Sequence, residues 1–283
     1  MVTDRMVQEA ARAVRAAMDG GGGLVIAAGA GMGVDSGLPD FRGPEGFWRA
    51  YPAYRQLGLR FEQLANPSWF ERDAALVWGF YGHRLNLYRE TIPHEGFAIL
   101  RHWLAAMPSG GVVYTSNVDG QFQRAGFGED QMIEVHGSLH YLQCLRPHCY
   151  GIWSAEGMQI RVDEESFRAV GQLPQCPDCG GLARPNVLMF GDACWQEERT
   201  GAQHMRLAAW LEKVAGKPLV VVECGAGTAV PTVRAFGEFL AARHDARLIR
   251  INVREPQGPS DTISLACGAL EGLRRLDAEL RPR

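Results

Sequence analysis

The sequence predicts an α/β fold in which a doubly wound parallel sheet is joined by a smaller, cysteine-stapled module. Three observations predict it. Short, mostly apolar runs at residues 24–28, 112–115, 219–223 and 247–252 alternate with helical patterns, the order expected of a parallel sheet covered on both faces. A glycine-rich turn follows the first run at once. Residues 140–185 change character, with four cysteines in two tight pairs, several prolines and Gly180-Gly181.

Each element has its own signal. Val7, Ala11, Val14 and Met18 recur at helical spacing, so residues 4–18 read as an amphipathic helix ended by Gly20 to Gly23. Leu24 to Ala28 reads as a buried strand. Residues 44–94 are rich in Trp, Tyr and Phe and carry helical patterns, which suggests a helical insertion. Residues 95–107 read as a helix and 112–115 as a second strand. After the cysteine module, 219–223 is a strand, 231–243 a helix, 247–252 a strand and 264–281 a helix. The expected organisation is a Rossmann-like domain from 1–43, 95–138 and 186–283, with a small domain from 44–94 and 139–185. No internal repeat or low-complexity tract stands out.

Bulk properties limit the partners. The 283 residues are enough to bury a real core. A net charge of -3 gives no general attraction to nucleic acid or to an anionic membrane. No apolar run approaches the roughly 20 residues needed to span a bilayer, and the charged start at Met1 to Arg5 does not read as a signal peptide. The expectation is a cytoplasmic protein. Its oligomeric state cannot be read from the sequence.

In a reducing compartment, paired cysteines favour metal over disulfides. Cys144-x4-Cys149 and Cys176-x2-Cys179 are separated by 26 residues and supply four thiolates. Zinc prefers four such ligands in a tetrahedron, and a site with no spare position is structural. The alternative is four unligated buried cysteines. Cys194, Cys224 and Cys267 lie outside the pairs and read as small packed residues.

The turn Gly29-Ala30-Gly31-Met32-Gly33 follows a strand and runs on to Ser36-Gly37-Leu38-Pro39-Asp40-Phe41-Arg42-Gly43. Glycines there let backbone approach a pyrophosphate closely. The spacing is not a true G-x-G-x-x-G, because position 34 is valine, and a glycine turn alone can be no more than a tight connection. Asp40, Phe41 and Arg42 add an acceptor, an aromatic lid and a guanidinium. Further on come Thr115-Ser116-Asn117-Val118-Asp119-Gly120-Gln121-Phe122-Gln123-Arg124-Ala125-Gly126 and Glu134-Val135-His136-Gly137.

Taken together and in this order, these segments resemble the sirtuin (Sir2) family across roughly residues 5–280. The family signatures read approximately GAG-x-S-x-x-SG-[IV]-PDFRG, TQN-[IV]-D-x-L-H-x-x-AG and a His-Gly after a strand. The resemblance implies an NAD-dependent protein-lysine deacylase that consumes NAD and releases nicotinamide and O-acyl-ADP-ribose. NAD and the acyl-lysine protein or peptide would enter opposite ends of the cleft between the domains. It implies His136 as the catalytic base, a residue type whose unperturbed pKa of about 6.5 suits that task. It implies a cofactor site from Gly29, Ala30, Gly31, Asp40, Phe41, Arg42, Ser116, Asn117, Asp119, Gly225, Ala226 and Asn252. Asn186 to Asp192 is similar to the segment that adds a strand to the substrate peptide, so Leu188, Phe190 and Gly191 are implied substrate residues. Tyr81 and Arg84 share a helix face at i, i+3. They resemble the Tyr-x-x-Arg of the branch that removes succinyl and malonyl groups, where a guanidinium grips a carboxylate. Alternatively, Arg84 is a helix-surface residue beside a packed tyrosine.

The chain departs from the family pattern at four places. Gly33 stands where the first signature has Ser, Ser116 where the second has Gln, and Phe122 where it has His. Cys224-Gly225-Ala226-Gly227-Thr228-Ala229-Val230-Pro231 replaces the usual GTS-L-x-V-x-P, so Gly225 and Ala226 lack hydroxyls. These changes keep a second outcome open, ADP-ribosyl transfer or plain NAD hydrolysis, which need only the first half of the deacylation chemistry.

Overall fold

The computed structural model describes residues 2–39, 47–49 and 51–281. Along the chain come α1 (Asp4–Asp19), β1 (Gly23–Ala28), α2 (Ala74–Glu90), α3 (Glu95–Ala106), β2 (Gly111–Thr115), β3 (Met132–Glu134) and β4 (Gly137–Cys144). Then follow β5 (Ile152–Ser154), β6 (Arg161–Val162), β7 (Ala169–Val170), β8 (Ala183–Val187), α4 (Glu198–Lys213), β9 (Leu219–Cys224), α5 (Thr232–His244), β10 (Arg247–Ile251), β11 (Ile263–Leu265) and α6 (Ala269–Leu280). Short helical turns at Pro52–Gln56, Phe61–Leu64 and Trp69–Arg72 precede α2, as the aromatic-rich composition of that stretch suggests.

The main sheet has the order β11-β10-β9-β1-β2-β3, and its neighbours pair in parallel. Successive side chains of a strand point to opposite faces, and the core divides accordingly. Leu24, Ile26, Val220, Val222, Ile249 and Ile251 pack with α1, α3 and α6 on one face. Val25, Ala27, Val112, Val221 and Leu248 pack with α4 and α5 on the other. Helices on both faces of a parallel sheet make it doubly wound, as expected. A third cluster joins Phe47, Tyr51, Phe70, Trp78 and Phe80 to Leu139, Leu142, Val187 and Met189. It unites the helical stretch with the antiparallel sheet β5-β4-β8, which carries the cysteines.

Two elements differ from the sequence reading. Ile263–Leu265 is a strand paired with Ile249–Ile251, and the last helix begins only at Ala269. Three residues are too few to show a period of two beside a strong helical pattern. The helix α4 gave little signal because its buried residues include Thr200 and Gln203 as well as Leu207.

Order in the sheet positions the site. Strand order reverses between β1 and β9, and the crevice outside the carboxyl ends at such a point is where open α/β sheets bind ligands.

Candidate active site and thiolate centre

At the carboxyl ends of β1 and β9, two glycine turns meet. Gly29 N–H donates to the Cys224 carbonyl at 3.0 Å and Gly31 N–H to the Gly225 carbonyl at 3.0 Å. A Cβ on Gly29 would lie 2.7 Å from Ala226 Cα, and one on Gly225 would lie 2.4 Å from Gly31 Cα. Gly225 also holds φ +64°, in the left-handed region. These glycines therefore let two turns touch and form one floor.

Above that floor lies a cavity of about 570 Å³. Its lining includes Gly29, Ala30, Ser116, Asn117, Asp119, His136, Phe190, Gly225 and Ala226, all expected from the sequence. Asn117 follows β2; its Nδ2 donates to the Gly29 carbonyl at 3.0 Å and its backbone N–H to Thr115 Oγ1 at 3.0 Å. Asp119 is buried, with Oδ1 accepting the Gln121 amide at 2.9 Å. Burial raises its pKa to about 6, and the Gln121 amide offsets part of that rise. His136 is half-buried just before β4. Burial lowers its pKa, and a backbone contact at Ser116 opposes the shift. Phe122, which replaces a signature histidine, packs in the core against Phe97 and Phe127.

Other expected residues lie differently. Asp40, Phe41 and Arg42 fall outside the described residues. Asn252 does not line the cavity. It is buried, its Nδ2 donates to the Ala226 carbonyl at 2.8 Å, and its Oδ1 accepts the amides of Arg254 and Glu255 at 3.0 Å each. It ties two loops together, and Thr228, Arg254 and Glu255 line the cavity beside it. Tyr81 is also absent from the lining; it is enclosed in the aromatic cluster, stacked on Phe70 at 6.1 Å and 12°. Arg84 does line the cavity, and its partner there is Tyr88: Nε and Nη2 both donate to the Tyr88 hydroxyl, at 2.9 and 2.7 Å. Tyr88, Phe61, Thr228 and Glu255 were not picked out from the sequence.

Leu188 and Phe190 follow β8, and each is more than a third exposed. The Leu188 amide donates to the His136 carbonyl at 3.0 Å and the Phe190 amide to the Ala65 carbonyl at 2.9 Å. Gly191 turns the chain at φ +69°. Beneath this turn Arg184 and Asp192 form a buried ion pair, and Asp192 Oδ2 also accepts the Met189 amide at 3.2 Å.

The four paired cysteines converge. Their sulfurs all lie within 4.8 Å of one another, with Cys144–Cys179, Cys149–Cys176 and Cys149–Cys179 at 3.6 Å. A tetrahedron with metal–sulfur bonds of about 2.3 Å has edges of roughly 3.8 Å, so the set fits a structural zinc ion. Amides of Arg146 and Gly181 point at Cys144 and Cys179 sulfurs, which favours thiolates.

The model of the Sir2 family matches residues 29–222. The chain belongs to the Sir2 family. The chain is 34% identical over 261 residues to "NAD-dependent protein deacylase 2" of Pyrobaculum aerophilum, covering 92% of this chain and 91% of the relative. It is 33% identical over 184 residues to "NAD-dependent protein deacylase sirtuin-5, mitochondrial" of Danio rerio, covering 60% and 57%. Among solved structures, a Sir2 homologue–NAD complex superposes with a TM-score of 0.69 at 26% identity, covering 95% of this chain and 93% of the other. No helix among the described residues is long and apolar enough to cross a membrane.

Proposed function

We propose that the chain is an NAD-dependent protein-lysine deacylase whose preferred acyl groups carry a carboxylate, such as succinyl or malonyl. The observation that carries the reading is one cavity, at the strand-order reversal, lined together by Asn117, Asp119, His136, Arg84 and Phe190. NAD, when bound there, supplies an anomeric carbon with nicotinamide as leaving group. Gly29, Ala30, Gly225 and Ala226 form a close-approach floor for its phosphates, and Asn117 and Asp119 hold the nicotinamide end.

His136 accepts a proton from a ribose hydroxyl, and its half-buried ring is biased towards the neutral form that can do so. Leu188, Phe190 and Gly191 line the approach of the acyl-lysine peptide. Support for the acidic acyl group is the Arg84 guanidinium in the wall. It lies 5.9 Å from the Phe61 ring centroid, and Phe61 in turn meets Phe190 edge-on at 6.2 Å. These contacts support a cation in reach of the proposed peptide residues.

Product analysis tests the reading. With NAD and acyl-lysine peptides of one sequence, nicotinamide and O-acyl-ADP-ribose should form, with higher kcat/KM for succinyl- than for acetyl-lysine. ADP-ribosylated protein or free ADP-ribose as the main product would overturn the deacylase reading in favour of transfer to other acceptors. An acetyl preference would overturn only the acidic-acyl part.

A further inference from the structure

We propose that Tyr88, one helical turn beyond Arg84, is the second residue that reads the acyl carboxylate, in the place the sequence suggested for Tyr81. This rests on the acidic-acyl reading above.

A phenol oxygen has two acceptor sites and one hydrogen to donate. Arg84 Nε and Nη2 both donate to Tyr88 Oη, so its acceptor capacity is filled. Among the described residues, no acceptor is recorded for the Tyr88 hydroxyl hydrogen. What remains is a donor at the cavity wall, polarised by a guanidinium that touches its oxygen. Such a donor, beside a buried cation, selects an anionic acceptor. A carboxylate at the tip of an acyl chain meets both requirements, and an acetyl methyl meets neither.

Burial raises the Tyr88 pKa above the ordinary tyrosine value, so the hydrogen stays in place at neutral pH, although Arg84 pulls the other way. The position also fits. Tyr88 lines the cavity together with Asp119 and Arg84. The Gln121 side chain holds the Tyr88 carbonyl at 3.0 Å, which fixes the end of α2 against the loop that carries Asp119. Tyr81, by contrast, stacks inside the aromatic cluster, so its ring is committed to packing.

The test compares kcat/KM for succinyl- and acetyl-lysine forms of one peptide in wild type, Tyr88→Phe and Tyr81→Phe. Each ratio is internal to one preparation, so partial loss of folded protein cancels. A charge-assisted hydrogen bond implies that Tyr88→Phe lowers the succinyl-to-acetyl ratio about tenfold or more. Tyr81→Phe should leave the ratio within about twofold. If the Phe variant yields no folded protein, Tyr88→Met, a flexible filler without a donor, carries the same expectation. A wild-type ratio at or below one overturns the acidic-acyl reading and this assignment with it. A high wild-type ratio that Tyr88→Phe leaves unchanged, or that only Tyr81→Phe lowers, overturns the Tyr88 assignment alone. Equal losses on both peptides would make Tyr88 a support for the NAD end or for the local fold, and would also overturn it.

Discussion

His136 and Asp119 face the same cavity, and burial moves their pKa values in opposite directions while driving the imidazole and the carboxyl alike towards the neutral form. For His136 that is useful. Its pKa falls below the ordinary value of about 6.5, so the proton-accepting ring persists into mildly acid solution. The acid limb of kcat/KM should lie below about 6.5. His136→Ala should cost on the order of 10²–10⁴ in turnover while NAD still binds, as isothermal titration would report; near-normal turnover would remove His136 from the mechanism. For Asp119 the same physics is a cost. Its pKa of about 6 exceeds the unfolded value, so the folded protein holds a proton that the unfolded chain has lost. Stability therefore falls as pH rises from about 4 to about 6, and the whole penalty is present above that. Asp119→Asn should raise Tm at pH 7.5, by less at pH 5, with up to ~3 kcal/mol available from a two-unit shift. NAD affinity should drop in the same variant. A variant less stable at pH 7.5 would show that the carboxylate is held by favourable contacts.

Among the elements, the turn after β8 is the one whose geometry depends most on a single pair. Arg184 and Asp192 are almost wholly buried, and Arg184 Nη2 also donates to the Val187 carbonyl at 2.7 Å. Removing one member of a buried pair leaves the charge of the other uncompensated, which costs about 3–5 kcal/mol. Asp192→Ala should lower stability by that order in denaturant unfolding; a change under about 1 kcal/mol would show that water replaces the carboxylate. The same element shows what the sequence conveys. The sequence suggested Asn186 to Asp192 as a substrate-side segment, but nothing in its pattern marked the Arg184–Asp192 ion pair, because the partners meet across a turn. Strands β1, β2, β9 and β10 were legible because buried parallel strands are apolar runs. The cavity face of α2 was not legible. Ten of its seventeen residues are buried, so no polar face marks which side lines the cavity, and Tyr88 beside Arg84 could not be picked out. Asn252 shows a related ambiguity: a polar residue at a strand end can face a ligand or bind its own loop, and here its side chain bonds the loop carbonyl of Ala226.

Across the whole molecule, the thiolate centre and the proposed catalytic cavity share two strands. β4 begins beside His136 and ends at Cys144, and it pairs antiparallel with β8 from Gly137↔Val187 to Cys144↔Ala183. Beyond Val187, β8 leads directly into Leu188 and Phe190, whose amides are anchored on His136 and Ala65. Zinc at the far end would clamp this pair of strands, so that the near end holds His136 and the segment from Leu188 to Gly191 in register. The proposed NAD floor follows β1 and β9 in the other sheet. Loss of the metal should therefore act unequally. Purified protein should contain about one zinc per chain. Cys144→Ser should lower thermal stability and raise the KM for the acyl-peptide several-fold more than it raises the KM for NAD. Equal rises would mean that the thiolate centre supports both sheets alike, and a metal-free protein of normal stability would remove zinc from the fold altogether.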